Sequence, residues 1–192
     1  MGVLDELELL EPGNRAEWRA WLEQNAASSP SVWLAIGKKG NTRTTLTYDQ
    51  AVEEALCFGW IDSTVRKLDG DRYKQLFSRR KPGSTWSRIN KERIARLEAE
   101  GKIVSLGLAA IESAKRSGSW NALDQVENLI VPDDLARALA SNPTARENFE
   151  AFPPSARKLF LYWIANVKRP ERRAERIAET VRRAAEGRRL TD

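Results

Sequence analysis

The chain has 192 residues, of which 41% are hydrophobic and 31% charged, a composition typical of a globular protein with one core or two closely packed subdomains. It contains no histidine and a single cysteine, which excludes Ser-His-Asp and Cys-His catalysis, mixed Cys/His metal sites and an internal disulfide. The net charge is +5, and its excess of basic residues lies in residues 66–93 and 157–189, which favours anionic partners.

The sequence also bears on location and cofactors. It has no Walker loop or dinucleotide-binding glycine motif, and no apolar run approaches the roughly 20 residues that span a membrane. The first residues lack a basic segment, so no secretory signal is expected, and the lone cysteine fits a reducing compartment. We therefore expect a cytoplasmic protein without membrane insertion, a cofactor or a metal site.

Turn and capping residues divide the first 60 positions into helices and strands. A helix is predicted to begin at Asn14, whose side chain can cap it, and an apolar run predicts a strand over residues 31–37. A second strand is expected over residues 44–46. Thr47 then opens a helix as part of a capping box, and Gly59 ends it.

Residues 60–80 carry the strongest local signal, two strand-like runs around Asp69-Gly70, which is typical of a two-residue type I′ turn. That register pairs Arg66 with Tyr73 and Trp60 with Arg79, whereas a bulge near the turn would change these pairs. Alternation assigns the core face to Ile61, Val65 and Leu76. The other face carries Trp60, Asp62, Thr64, Arg66, Tyr73, Gln75, Phe77 and Arg79.

The remainder of the chain is predicted to be helical, with helices starting near residue 85, residue 105, Pro132, Pro143, Ser155 and Pro170. The fold class is therefore α+β: a small antiparallel sheet with a hairpin at about 60–80 packs on helices, and a helical C-terminal part follows. We expect an α+β part with the binding face over residues 1–118. Residues 119–192 would pack against it to form one compact unit.

The second face of the hairpin is the best candidate for a binding surface. Arg79 opposite Trp60 and Arg66 opposite Tyr73 are placed for cation–π stacking, and Asp62 lies diagonal to Arg79 for an ion pair. The alternative interpretation is that these pairs only brace the sheet against the following helix.

An anion pocket is predicted where the hairpin leads into that helix, because guanidinium groups meet hydroxyls and free N–H groups there. In this hypothesis Arg79, Arg80, Ser87 and Asn90 bind the anion, and Trp60 and Trp86 form the walls. The complete predicted site comprises Trp60, Asp62, Arg66, Tyr73, Arg79, Arg80, Trp86, Ser87 and Asn90.

The last predicted helix is rich in Arg. Glu171, Glu175 and Glu179 stand at four-residue spacing among the Arg residues, so pairing across one helical turn explains much of the charge. A solvated, salt-bridged face is favoured over a nucleic-acid-binding arm.

The chain resembles the YdeI/OmpD-associated (OmdA) family of bacteriocin-protection proteins along nearly its whole length. The segments that carry the likeness are RAEWRAWLEQN, SVWLAIGKKG, LTYDQAVEEALCFGWID and LYWIANVKRPERRAERI. The most specific matches are Trp60, Asp62, Arg72, Tyr73, Phe77, Arg79, Pro82, Trp86, Ser87 and Asn90. Arg172 and Glu175 depart from the family pattern in the last helix. The resemblance implies a bacterial cytoplasmic protein linked to tolerance of antimicrobial peptides and envelope stress, with no catalytic residues to carry over.

These observations leave three functional hypotheses open. The leading one is a non-enzymatic accessory module that binds an anionic small molecule or a protein partner at the nine site residues. The second is an enzyme acting on a phosphorylated or carboxylate small molecule, with Asp62 as base and Arg79 as electrostatic stabiliser. The third is a nucleic-acid binder that uses both basic segments and weakens steeply with salt.

Overall fold

The computed structural model describes residue 4, residues 6–167 and residues 169–192. Lys168, which belongs to the C-terminal segment of the family resemblance, lies outside the described residues. The chain divides into two compact units, residues 1–121 (unit 1) and residues 122–192 (unit 2). The predicted boundary after residue 118 lies close to this division, and the packing of the two parts into one body stays a prediction.

The α+β class is confirmed, because unit 1 contains a sheet and unit 2 is helical. The strands are β1 (Leu9–Leu10), β2 (Ser31–Gly37), β3 (Trp60–Lys67) and β4 (Arg72–Arg79), in the order β1-β2-β4-β3. The sheet is mixed, since β1 runs parallel to β2 while the other pairs are antiparallel. The strand expected over residues 44–46 does not form: the Thr45 N–H donates to the Gly13 carbonyl at 2.8 Å, outside the sheet.

Four helices accompany the sheet: α1 (Arg15–Asn25), α2 (Tyr48–Cys57), α3 (Arg88–Ala99) and α4 (Ser105–Ser117). The predicted starts of the first two are confirmed. The Asn14 side chain accepts from the Glu17 N–H, and Thr47 and Gln50 form the reciprocal capping box. The third helix starts at Arg88, later than predicted, because the chain before it follows the extended path that brings Trp86 into the core.

The core of unit 1 lies between one sheet face and the helices. It combines Trp18 and Leu22 of α1, β-branched and leucine side chains of β2, and the buried face of α2. Cys57, at the end of α2, is fully buried, and burial raises the pKa of its thiol. A Cβ atom on Gly107 of α4 would lie 2.2 Å from the Cys57 carbonyl oxygen, so this helix crossing requires glycine.

Unit 2 consists of α5 (Asp124–Glu127), α6 (Asp133–Ala140), α7 (Pro143–Ala151), α8 (Pro154–Ala165) and α9 (Pro170–Ala185). Its own core contains Leu135, Phe149, Phe160, Ile164 and Ile177. The Arg173 guanidinium donates to both carboxylate oxygens of Asp134, at 2.6 and 3.0 Å, which joins α9 to α6. Among the described residues, no helix combines the length and the apolar character that a membrane span requires.

Candidate anion-binding site

The hairpin keeps the predicted register only at its open end. Trp60 lies opposite Arg79, as predicted, and Asp62 lies opposite Phe77. A bulge between Asp62 and Val65 then shifts the register, so that Lys67 rather than Arg66 lies opposite Tyr73. The predicted pairing near the turn is therefore wrong, because one extra residue of β3 is accommodated in the ladder.

The predicted turn type is also wrong. Residues 68–71 connect the strands, and Gly70 does not adopt the positive φ that a type I′ turn requires. Instead the Asp69 carboxylate accepts from the Arg72 N–H at 2.9 Å and from the Arg72 Nε at 3.0 Å. The Asp69 side chain thus stabilises a wider connection.

The sheet face expected to bind a ligand is in fact the core face. Trp60 and Phe77 are fully buried there, whereas Val65, predicted to be in the core, is 59% exposed. The Trp60 ring packs edge-on against Trp21 at 5.8 Å, and its Nε1 donates to the Ala26 carbonyl at 3.2 Å. Trp60 therefore braces the core and does not form a wall of an open pocket.

The two predicted guanidinium–ring pairs are replaced by others. Arg66 lies over Trp33 at 5.3 Å, because the bulge moves its side chain to the sheet face opposite that of Tyr73. Arg79 is exposed and donates to the Ala27 carbonyl at 3.0 Å. The Arg66 prediction was wrong because it depended on a regular ladder. The Trp60–Arg79 register is as predicted, but that stacking pair does not form because the Trp60 ring is buried in the core.

Asp62 lies in a groove that is open to solvent, has a volume of about 370 Å³ and is lined by Tyr48, Asp62, Ser63, Val65, Tyr73 and Gln75. Its Oδ2 accepts from the Tyr48 hydroxyl at 2.7 Å and from the Gln75 Nε2 at 3.3 Å. Burial and this hydrogen bond raise the pKa of Tyr48. Asp62 is hydrogen-bonded away from Arg79, so the predicted ion pair is not the contact it makes.

Ser87 and Asn90 have local structural roles. The Ser87 Oγ accepts from the Asn90 N–H at 3.4 Å and caps α3, and the Asn90 Oδ1 accepts from the Arg93 Nη1 at 3.2 Å. Both side-chain oxygens thus accept hydrogen bonds within the start of α3.

Arg80 and Trp86 do come together, as the pocket hypothesis requires. The Arg80 Cζ lies 3.5 Å from the centre of the Trp86 ring, and its Nη1 donates to the Thr85 carbonyl at 3.1 Å. The Nε is buried and has no hydrogen-bond partner. Within the part of the chain that the structure describes, no carboxylate lies within ion-pair distance of this guanidinium.

Burial of Arg80 has an electrostatic consequence. It lowers the pKa of the guanidinium to about 10, and the field of Asp62 acts in the opposite direction. A cation in this position carries a desolvation cost that Asp62 counters only in part and that no ion pair with a described carboxylate offsets.

A half-enclosed cavity of about 200 Å³, here called the Arg80 cavity, adjoins this side chain. One wall is the turn of residues 80–84, and the other is the face of α4 with its following segment. Its lining comprises Arg80, Lys81, Pro82, Gly83, Ser84, Trp86, Ala110, Ser113, Ala114 and Ser119. This set combines one half-buried guanidinium, one lysine and three serine hydroxyls, and that chemistry suits a small anion.

The α4 side of the cavity was missed from the sequence. Ala110, Ser113 and Ala114 recur at the spacing of one helical face, and this run of small residues was the available signal. Trp120 then packs on Trp86 with ring centres 5.0 Å apart, and Lys115 lies 5.4 Å from the Trp120 ring. These neighbours make the surroundings of the cavity basic.

Acidic and thiol groups offer no comparable constellation. Among the described residues, no group of three or more Cys, Asp or Glu side chains is arranged to hold a metal ion. The Arg80 cavity is accordingly the feature of unit 1 that best matches a ligand class.

Comparison with known proteins divides the chain at nearly the same place as the fold. Residues 10–110 match the family model described as "Domain of unknown function (DUF8412)". Residues 128–187 match the model described as "Bacteriocin-protection, YdeI or OmpD-Associated", which confirms the family named by the resemblance over this part of the chain. That match covers less of the chain than the resemblance does. No curated protein and no solved structure matches.

Proposed function

The chain belongs to the DUF8412 family, whose model matches more than half of it, and from that premise we propose that it is an anion-binding accessory module without catalysis. The observation that carries the proposal is the half-buried Arg80 guanidinium, whose buried Nε has no hydrogen-bond partner, and which lines a cavity and lacks an anionic partner among the described residues. A charge that is costly to bury is retained where an external ligand supplies the missing interaction.

The arrangement favours binding over the catalytic alternative. Asp62 is held by Tyr48 and Gln75 in an open groove, while Arg79 donates to a backbone carbonyl. The proposed base and the proposed electrostatic stabiliser therefore do not converge on one enclosed reacting position. Arg80 instead lines a cavity whose size suits a small ligand group.

The physiological part of the proposal follows the C-terminal family match. We propose that the protein acts in the bacterial cytoplasm, in tolerance of bacteriocins, antimicrobial peptides and envelope stress, and the family description of residues 128–187 supports the bacteriocin part of this proposal. Binding of an anionic metabolite or of an acidic group on a protein partner would couple the module to that response. Comparing the survival of cells with and without the intact gene under peptide challenge, together with cell fractionation, tests this part.

The binding proposal is tested by titrating the full-length protein with phosphate and with acetate while backbone amide resonances are recorded by NMR. We expect saturable shifts at residues 80–84 and 113–119. Arg80→Gln should weaken the binding of either anion at least about tenfold, because a charge-assisted contact is lost.

Arg79→Gln is the matched control, because Arg79 is the neighbouring cation but is exposed and lies outside the cavity lining. It should leave the affinity unchanged. Arg80→Lys, which keeps the charge, should retain part of the binding and shows whether the fold survives substitution. Equal losses in Arg79→Gln and Arg80→Gln, or shifts that avoid the cavity, would refute the proposal.

A further inference from the structure

Unit 2 contains a second and larger cavity, beside the connection from α8 to α9. Its volume is about 540 Å³, which is in the range of small-molecule sites. The lining comprises Trp163, Asn166, Val167, Arg169, Arg172, Glu175, Arg176 and Glu179. One face of the Arg-rich helix α9 therefore borders a recess.

The two carboxylates in this lining already have partners. Glu175 pairs with Arg172 at 2.9 Å. Glu179 pairs with Arg182 at 2.7 Å and with Arg183 at 2.8 Å, and these hydrogen bonds lower the pKa of Glu179 to about 2. Both glutamates are thus engaged in ion pairs with arginines of α9.

Two guanidinium groups of the lining remain uncompensated. Arg176 lies 4.9 Å from the Trp163 ring and donates to the Trp163 backbone carbonyl. Arg169, which precedes α9, is exposed. Over the residues that the structure describes, neither guanidinium has a carboxylate within ion-pair distance. The recess is thus electropositive at its Arg169 and Arg176 side.

We propose that this recess is a binding site for an organic anion that combines a flat ring with a phosphate or carboxylate group. Arg169 and Arg176 hold the anionic group, since guanidinium groups bind both anions through paired N–H donors. Trp163 packs against the ring, and the Asn166 side chain supplies a neutral hydrogen-bonding group at the same rim. A bare inorganic ion would leave most of the volume and the indole unused, so the ring is part of the recognised chemistry.

This site is independent of the Arg80 cavity. The two lie in different units, differ in volume, and share no lining residue. The larger site requires a ligand with a ring, whereas the smaller one requires only an anion. A failure of one proposal therefore leaves the other standing.

The test uses full-length, ¹⁵N-labelled protein, in which the Trp163 indole Nε1–H gives its own NMR signal. The probes are AMP, the corresponding nucleoside 5′-carboxylate, adenosine and inorganic phosphate. We expect at least one of the two nucleoside anions to shift the Trp163 and Arg169 signals with saturation, at least about tenfold more tightly than adenosine or phosphate. No saturable shift at Trp163 with either nucleoside anion overturns the proposal.

Substitutions then locate the contact. Arg169→Gln removes an exposed cation that has no folded-state partner among the described residues, so it should preserve the fold and weaken binding about tenfold. Arg146→Gln is the matched control, because Arg146 pairs with Glu150 on α7 and does not line the recess. Equal affinity in Arg169→Gln and the wild type, or an equal loss in Arg146→Gln, contradicts the assignment.

Discussion

At the scale of single residues, Arg80 shows how a feature that destabilises the fold can indicate function. Its guanidinium packs on Trp86 and has one backbone acceptor, yet its Nε is buried without a partner. Natural proteins retain such groups mainly where an activity requires them, at a cost in stability. Arg79, one position earlier, is exposed and makes an ordinary contact with a backbone carbonyl. The two neighbouring arginines thus form a natural comparison.

The pH dependence of stability should separate these two arginines. Burial lowers the pKa of Arg80 to about 10, below its ordinary value, so its charged form destabilises the fold fully below that pKa and progressively less as the pH rises above it. Replacing Arg80 with Met, which removes the charge but fills similar space, should raise the free energy of unfolding at pH 7 by about 1–3 kcal/mol. The gain should stay constant up to about pH 10 and shrink as the pH rises beyond it.

The measurement for this comparison is chemical denaturation of the wild type, Arg80→Met and Arg79→Met at several pH values. Arg79→Met should stay within about 0.5 kcal/mol of the wild type throughout. If Arg80→Met instead destabilises the protein at pH 7 by as much as a core truncation, Arg80 contributes to the fold and its retention needs no ligand.

At the scale of secondary-structure elements, the crossing of α2 and α4 depends on the absence of one side chain. Alanine at position 107 would favour the helix locally by about 1 kcal/mol. Its Cβ would, however, lie 2.2 Å from the Cys57 carbonyl oxygen and 2.8 Å from Ile103 Cγ2, so the helix would have to move away. We expect Gly107→Ala to lower the free energy of unfolding by about 2 kcal/mol or more, because overpacking outweighs propensity.

Gly13→Ala is the control for that substitution, since the nearest atom to its Cβ would be the flexible Glu17 carboxylate at 3.4 Å. It should change the free energy of unfolding by less than about 0.5 kcal/mol in a denaturant titration. Similar effects of the two alanines would mean that α2 and α4 are not in close backbone contact.

The elements also show which parts of the structure the sequence could predict. Capping residues such as Asn14 and Thr47 act within four positions, so the starts of α1 and α2 were predictable. The bulge after Asp62 adds one residue to β3. The sequence before and after it still has the pattern of a strand, so the local pattern could not predict the bulge. That single shift moved Arg66 to the other face and removed its predicted pairing with Tyr73.

The candidate site was predictable to a similar, partial degree. Arg80 and Trp86 were identified because both belong to one short basic and aromatic segment, and they do meet. Trp60 is fully buried and does not line the pocket. The alternation of side chains along a strand separates the two sheet faces but does not show which of them the helices cover. The serines from α4 and its following segment were missed because their proximity to Arg80 arises only from tertiary packing.

At the scale of the whole chain, the net charge of +5 overstates the attraction for nucleic acid. Many arginines of α9 are paired within the helix: Arg172 with Glu175, and both Arg182 and Arg183 with Glu179. The solvated, salt-bridged interpretation of this helix is confirmed for those pairs. A nucleic-acid phosphate would have to displace the glutamates before it could pair with these arginines.

We therefore expect short single-stranded oligonucleotides to bind only weakly. Fluorescence anisotropy should give no saturable binding below about 10 μM at 150 mM salt, with only a shallow rise in affinity at 50 mM. A submicromolar affinity that falls by orders of magnitude across this range would favour the nucleic-acid hypothesis instead. Repeating the titration with Arg169→Gln would show whether any binding involves the unit 2 recess.

The burial of Cys57 has a practical consequence for studying these ligands. Its thiol is the chain's one cysteine and is fully buried, so an alkylating reagent can reach it only when unit 1 opens. The labelling rate of the unmodified protein is then a direct gauge of that opening. An anion that occupies the Arg80 cavity of the closed form should slow alkylation in proportion to its saturation, and a ligand confined to unit 2 provides the contrast.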